Sequence, residues 1–427
     1  MLTFRAILAT SLMLSACVPA AAQYRRERPY RGIFASGIDS VGQSLTAQGT
    51  LSGGYDDNVL AGTRVQNSIR RQQEGAFTQF SGGLNYAHGF TGGSINAAVG
   101  TSQRYYPSLE REYYRNYNAS IGGTLQVSAR PAITLHQSVS YRPYTFLEIF
   151  PDTVEPPVGA SDVPDPDLVP LFRQYVAYTG GADLSQRITR RTTVSSFWNY
   201  GITDRLSNHF WRQAAGASFS VAMTRDLSAR VGYRYTEGHH DDRVTRIHRP
   251  EIGLDFLRAL SLTRRTSLTF GIGMEATAYN QVTRLIAVGN ARVVHEIGRS
   301  WTVGAVYRRG TYFVETLPEP VTGNSASAQV NGLITRRLQL SGVVSGSFGQ
   351  MGPGAARHYD SYRGSISLSS AITRHMNVGV DYGYYHYLFD DIVVLEPGLA
   401  RDINRQTIRG HVSFWAPIWT RRANASR

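Results

Sequence analysis

Lysine is absent from the 427 residues, so all 44 basic side chains are arginine. The formal charge is +13, but the arginines are spread along the chain and form no basic patch of the kind that binds nucleic acid. Codon bias in a GC-rich genome is a sufficient account of the missing lysine. Cysteine occurs once, at Cys17. A mature chain beginning after Ala22 would therefore have neither disulfides nor thiolate metal sites. Beyond the N-terminus there is no apolar run of the ~20 residues that a membrane helix needs. Two common catalytic signatures are also missing, the lipase-type G-x-S-x-G and a phosphate-binding glycine loop.

The N-terminus has the anatomy of a secretory signal. Arg5 precedes an apolar core, Ala6–Ala16, and Ala20-Ala21-Ala22 offers a cleavage site. Leu14-Ser15-Ala16-Cys17 also matches a lipoprotein box, in which Cys17 would be lipidated. Both readings export the chain. The expected organisation is a signal over 1–22, a flexible periplasmic lead-in over 23–43, a barrel over 44–419 and a tail over 420–427.

What the chain does have is alternation. In Leu227–Thr236, Leu227, Ala229, Val231, Tyr233 and Tyr235 fall on one face. Ser228, Arg230, Gly232, Arg234 and Thr236 fall on the other. A strand sends successive side chains to opposite faces, so one face is apolar and the other polar and basic. The same pattern runs from residue 44 to residue 419. It is weakest over 281–297, where both faces are mixed.

The turns between alternate segments are near-copies. They are Ile188–Arg191, Met223–Asp226, Leu262–Arg265, Ile334–Arg337 and Ile372–His375, each with threonine then arginine in the middle. Longer connections lie between them, at 238–246, 314–322, 350–357 and 389–403. The longest break, Pro143–Pro170, is proline-rich and acidic and reads as a loop that could cover the mouth.

Strands of ten or more residues, short turns at one end and long loops at the other describe a transmembrane barrel. Sheets must close in lipid, because every backbone polar group has to be paired there. The expected fold is all-β: an antiparallel up-and-down barrel of about eighteen strands (16–18), with periplasmic turns and extracellular loops. Tyr55, Tyr86, Tyr141, Tyr235, Tyr279 and Tyr387 near strand ends suggest aromatic girdles.

Alternation also gives candidate pore-lining residues: Arg142, Arg230, Arg234, Arg308, Arg363 and Arg409, with Asp255, Glu275 and Asp381. An inward arginine excess would draw anions. The same residues could instead pair into a structural lattice. The run His239-His240-Asp241-Asp242 is a weak candidate for a divalent metal or for protease-like chemistry at a loop tip, since adjacent residues rarely converge on one ion.

Gly54-Tyr55-Asp56-Asp57-Asn58-Val59 resembles the opening segment of the outer-membrane β-barrel porins associated with exopolysaccharide gene clusters. The closing strand Val412–Trp419 resembles theirs too, although the tail Thr420–Arg427 places Trp419 away from the chain end. The resemblance implies an outer-membrane protein with a role in polysaccharide export or surface attachment, and it transfers no catalytic residues.

The leading expectation is a porin-like channel for anionic solutes or exopolysaccharide, without enzyme activity, cofactor or metal. Its expected partners are outer-membrane lipid and lipopolysaccharide, the barrel assembly machinery and polysaccharide export components, with no nucleic acid. One alternative is a non-conducting structural or adhesive barrel. Another is a barrel protease or lipase using His239–Asp242.

Overall fold

The computed structural model describes residues 42–59, 74–107, 113–127, 131–146, 168–204, 209–240, 243–256, 265–279, 282–298, 300–314, 317, 319–352, 357–390 and 400–421. The signal, Cys17, most of the lead-in, residues 147–167 and residues 422–427 lie outside these.

Eighteen strands form one sheet. In chain order they are β1 (Gln43–Asp56), β2 (Gly75–Phe90), β3 (Gly93–Tyr105), β4 (Tyr113–Gln126), β5 (Pro131–Phe146) and β6 (Leu168–Arg187). The middle third is β7 (Thr192–Asp204), β8 (His209–Ala222), β9 (Leu227–His240), β10 (Arg243–Phe256), β11 (Thr266–Tyr279) and β12 (Val282–Ile297). The last third is β13 (Trp301–Tyr312), β14 (Val321–Leu333), β15 (Leu338–Met351), β16 (His358–Ala371), β17 (Met376–Phe389) and β18 (Asp402–Arg421). Each strand pairs antiparallel with the next. β1 also pairs with β18, from Gln43↔Arg421 to Asp56↔Thr407, and this closes the ring.

The repeated turns work by one local mechanism. Thr189, Thr224 and Thr335 each accept, on Oγ1, the backbone N–H groups two and three residues on. Thr373 does the same for His375. The preceding Ile188, Met223, Ile334 and Ile372 each donate to the carbonyl that reopens the next strand. A short hydroxyl side chain thus satisfies turn amides that have no strand partner.

The outer face is apolar. Ile272, Val344, Leu285 and Val231 at mid-strand positions are 67, 62, 62 and 57% exposed. Their inward neighbours are mostly small or polar, such as Gly271, Gly273, Arg230, Gly232 and Ser345, with Val343 and Ile286 the apolar members. Exposed aliphatic side chains around a closed sheet define a surface solvated by lipid, and the fold is that of a transmembrane barrel. Arginine in place of Val344, near the middle of β15, should therefore cost about 2–4 kcal/mol of folding stability. Urea unfolding in lipid vesicles measures it, and an unchanged midpoint would contradict a lipid contact there.

Several local expectations change. β9 runs to His240 and β10 starts at Arg243, so the connection expected over 238–246 is only residues 241 and 242. β5 continues to Phe146 and β6 begins at Leu168, because the register shift between Arg142 and Tyr144 accommodates Pro143. β12 pairs with β11 from Val282↔Tyr279 to His295↔Thr266 despite its mixed faces. β18 extends through Thr420 to Arg421. Tyr279 and Tyr387 are 3 and 0% exposed and lie on the inward parity of their strands, so they are not part of a lipid-facing girdle.

Two features shape the interior. First, the loop end of the barrel is partly filled. Val321, Met351, Tyr359, Tyr385, Tyr387, Phe389 and Ile403 form a buried cluster inside β14–β18, together with Val314 and Leu317. Second, β13 leaves the wall. Its pairing with β12 covers only Gly289↔Arg309 to Ile297↔Trp301. Beyond Arg309 the strand leans inward, and Thr311 N donates 3.1 Å to Glu275 Oε1 on β11, two strands away. Arg309 stays behind, donating through Nε to the Ala287 carbonyl 2.9 Å away, and so occupies part of the gap.

Candidate functional site

The inward lean of β13 roofs a recess that adjoins the buried cluster, since Tyr312 lines the recess and also packs against the cluster. It has a volume of about 560 Å³. Its walls come from β5–β10, with Gly310–Phe313 above. Arg212, Arg234, Arg249 and Arg308 line it, with Asp183 as the lining carboxylate, and Thr179, Asn199, Thr236 and Thr311 supply uncharged polar groups.

The four arginines differ in how they are held. Arg249 is committed, donating 2.8 Å from Nε to Glu275 Oε2, and Glu275 is itself fully buried. Arg234 lies over the Phe197 ring, 4.9 Å from its centroid, and Arg308 lies over Tyr312 at 4.8 Å. Among the described residues no carboxylate pairs with Arg212, Arg234 or Arg308. Arg234 also sits directly across the ladder from Arg249. Like charges face each other there, so the recess carries an uncompensated positive field.

The residues expected to line the pore divide accordingly. Arg234 and Arg308 line the recess. Arg230 is inward but neutralised, 3.5 Å from Glu251 and 3.8 Å from Asp255. Glu275 is inward but sealed: it anchors Arg249, Thr277 and the Thr311 amide, and is therefore a brace for β13. Asp381 and Arg409 are 3 and 2% exposed and pair with each other at 2.8 Å, with His411 Nδ1 2.9 Å from the same carboxylate. They brace the β17–β18 ladder and do not face open solvent. Arg142 and Arg363 are inward, half-buried and engaged with partners, away from the recess.

The His239–Asp242 run does not form a centre. His239 and His240 are consecutive strand residues and project to opposite faces. His239 stacks on Trp211 at 4.3 Å and lies 2.9 Å from Glu237 Oε1 on the outside. His240 is buried near Phe210. No group of three metal-ligating side chains occurs among the described residues, and Asp241 and Asp242 lie outside them.

Arg212, Arg249 and Phe313 were not among the expected lining residues. Parity offered the first two: Arg249 shares a face with Asp255, and Arg212 with Phe210 and Ala214. Phe313 had no such signal, because it acts after its strand has left the wall. Its ring reaches Phe210 on β8, 6.4 Å between centroids. It packs against Gly238 on β9, where a Cβ would come within 2.5 Å of the ring. Glu319 ties the same segment to Arg243 on β10 at 3.9 Å and also to Arg357.

The motif Gly54–Val59 has a structural role. Asp56, fully buried, accepts from Arg405 Nε at 2.9 Å, from the Tyr106 hydroxyl at 3.1 Å and from Asn58 N at 3.1 Å. Arg405 Nη2 bonds the same carboxylate. Asp57 accepts from Gln406 N at 2.6 Å, and Asn58 Nδ2 donates to the Asn404 carbonyl at 2.7 Å. Val59 packs with Phe77, Tyr106 and Tyr114. Gly54 leaves room for the β18 backbone, since a Cβ there would collide with the Ile408 carbonyl oxygen. The motif clasps the first strand to the last.

The molecule is a closed eighteen-strand transmembrane barrel, partly filled at its loop end, with a basic recess beside the buried cluster. No family model and no curated protein matches the chain. Among solved structures it is similar to OpdQ of Pseudomonas aeruginosa, at 12% identity over 88% of this chain and 98% of that one, with a TM-score of 0.46. OpdL of the same organism gives 14% over 88% and 99%, with a TM-score of 0.45. OccAB4 of Acinetobacter baumannii gives 11% over 88% and 98%, with 0.43. At these levels the likeness is one of barrel architecture and says nothing of substrate.

Proposed function

We propose that this protein is an outer-membrane, porin-like channel that favours small anions. The observation that carries the reading is the unpaired set Arg212, Arg234 and Arg308 around the recess. Water in the lumen keeps guanidiniums charged, and their field raises the local concentration of anions. Passage needs no covalent step and no cofactor, so the chain acts here as a channel and not as an enzyme. On this reading the barrel contacts outer-membrane lipid and lipopolysaccharide, and the barrel assembly machinery inserts it.

The test is planar-bilayer conductance under a KCl gradient. The reversal potential should report anion preference, and replacing Arg234 and Arg308 together by alanine should move it toward cations. Absence of ion current would sink the channel reading. The exopolysaccharide role rests on Gly54–Val59 and Val412–Trp419 alone. The partly filled mouth and the Phe313 roof favour small solutes over a polymer. A second reading, a plugged structural or adhesive barrel, draws on the same buried cluster, and the conductance measurement separates the two.

A further inference from the structure

The recess carries three kinds of recognition chemistry at once. Arg234 and Arg308 supply charge, Asn199 and Thr236 supply amide and hydroxyl groups, and Phe313 closes the outer side with an apolar ring. We propose that the recess is a saturable binding site for one small polyhydroxy acid, of the size of a monomeric or dimeric sugar acid, held beneath Phe313. This rests on the channel reading and names its substrate class.

Size is the first support. A volume of about 560 Å³ falls inside the roughly 300–1,000 Å³ of small-molecule pockets. The second is how the guanidiniums are presented. Arg234 and Arg308 lie over the Phe197 and Tyr312 rings, which limits the freedom of each guanidinium, and Arg308 Nε is buried without a hydrogen-bond partner. A planar fork held in this way suits a carboxylate and loses little freedom on binding it. The third is the polar remainder: Asn199 and Thr236 line the recess with acceptor as well as donor atoms, which suits ring hydroxyls better than an inorganic anion. The roof adds the fourth. Gly238 leaves the slot that seats Phe313, which sets an apolar ring beside the bound ligand.

Calorimetry on the full chain folded in detergent micelles tests the site, with galacturonate, galactose and inorganic phosphate as probes. Galacturonate should bind once per barrel, and galactose about tenfold more weakly or worse. Replacing Arg234 and Arg308 by lysine keeps the charge but removes the fork. This pair should weaken galacturonate by about tenfold, and an unchanged affinity would overturn recognition by the fork. Equal affinity for phosphate and galacturonate would overturn the polyhydroxy-acid class, and no heat from galacturonate would overturn the site itself. Galacturonate binding without any ion current would support the site while refuting transport.

Discussion

Replacing Arg405 by methionine should destabilise the barrel by roughly 3–5 kcal/mol, because Asp56 is then left as a buried charge without its partner. Arg405 and Asp56 are 1 and 0% exposed. The Asp56 carboxylate accepts from both Nε and Nη2 of Arg405, so the pair is a fork. The neighbours are Tyr385 against Arg405 and Tyr106 against Asp56, one hydroxyl each; the second cation nearby, Arg104, reaches Asp56 through the Tyr106 hydroxyl, to which its Nη1 donates at 3.1 Å. Asp56→Leu alone should cost a similar amount, by stranding the guanidinium. The double variant should cost clearly less than the sum, since two apolar side chains no longer bury a charge; it still leaves Tyr106 and the Asn58 amide without their acceptor. Urea titration in vesicles, read alongside the folded band on unheated gels, gives the three numbers. Additive losses would mean that the pair does not act as a unit. The effect should exceed that of an ordinary surface ion pair, because this contact fastens the first strand to the last and a barrel that fails there exposes two sheet edges to lipid.

The contrast between Asp56 and the hairpin turns shows what kinds of contact a sequence makes legible. Turns such as Met223–Asp226 are local: Thr224 finds its partners within three residues, so the repeat in the sequence is also the structure. Parity is local too, and it assigned Arg234 and Arg308 to the lumen. The strand count of eighteen followed from these two signals. Asp56–Arg405 and Glu275–Thr311 are long-range pairs, and alternation places each side chain on a face without naming its partner. Glu275 therefore read as a lumen charge like any other until its bond to the Thr311 amide marked it as the brace of a displaced strand. The filled mouth, by contrast, was legible from parity. Tyr387 and Tyr279 occupy strand ends, where a lipid girdle and a mouth core have the same composition. Only the parity of each residue separates the two.

Reversing charge at Arg212, Arg234 and Arg308 together, each to glutamate, should invert ion selectivity from anions to cations. Each substitution changes the local charge by two units, and in the native recess the lining carboxylate is Asp183 alone. Arg249 cannot compensate, because Glu275 already holds it. Arg230 is similarly held by Glu251 and Asp255, so the uncommitted field comes from the three residues replaced. The inversion should depend on salt. At 0.1 M the Debye length is about 10 Å, long enough for the charges to act across the recess; at 1 M it is about 3 Å, and most of the preference should vanish in both proteins. Reversal potentials taken at both concentrations distinguish this from a change of pore size, which would alter conductance at high salt and leave the ion preference in place. A triple variant that conducts with its anion preference intact at low salt would show that the field selecting the ion arises elsewhere in the lumen.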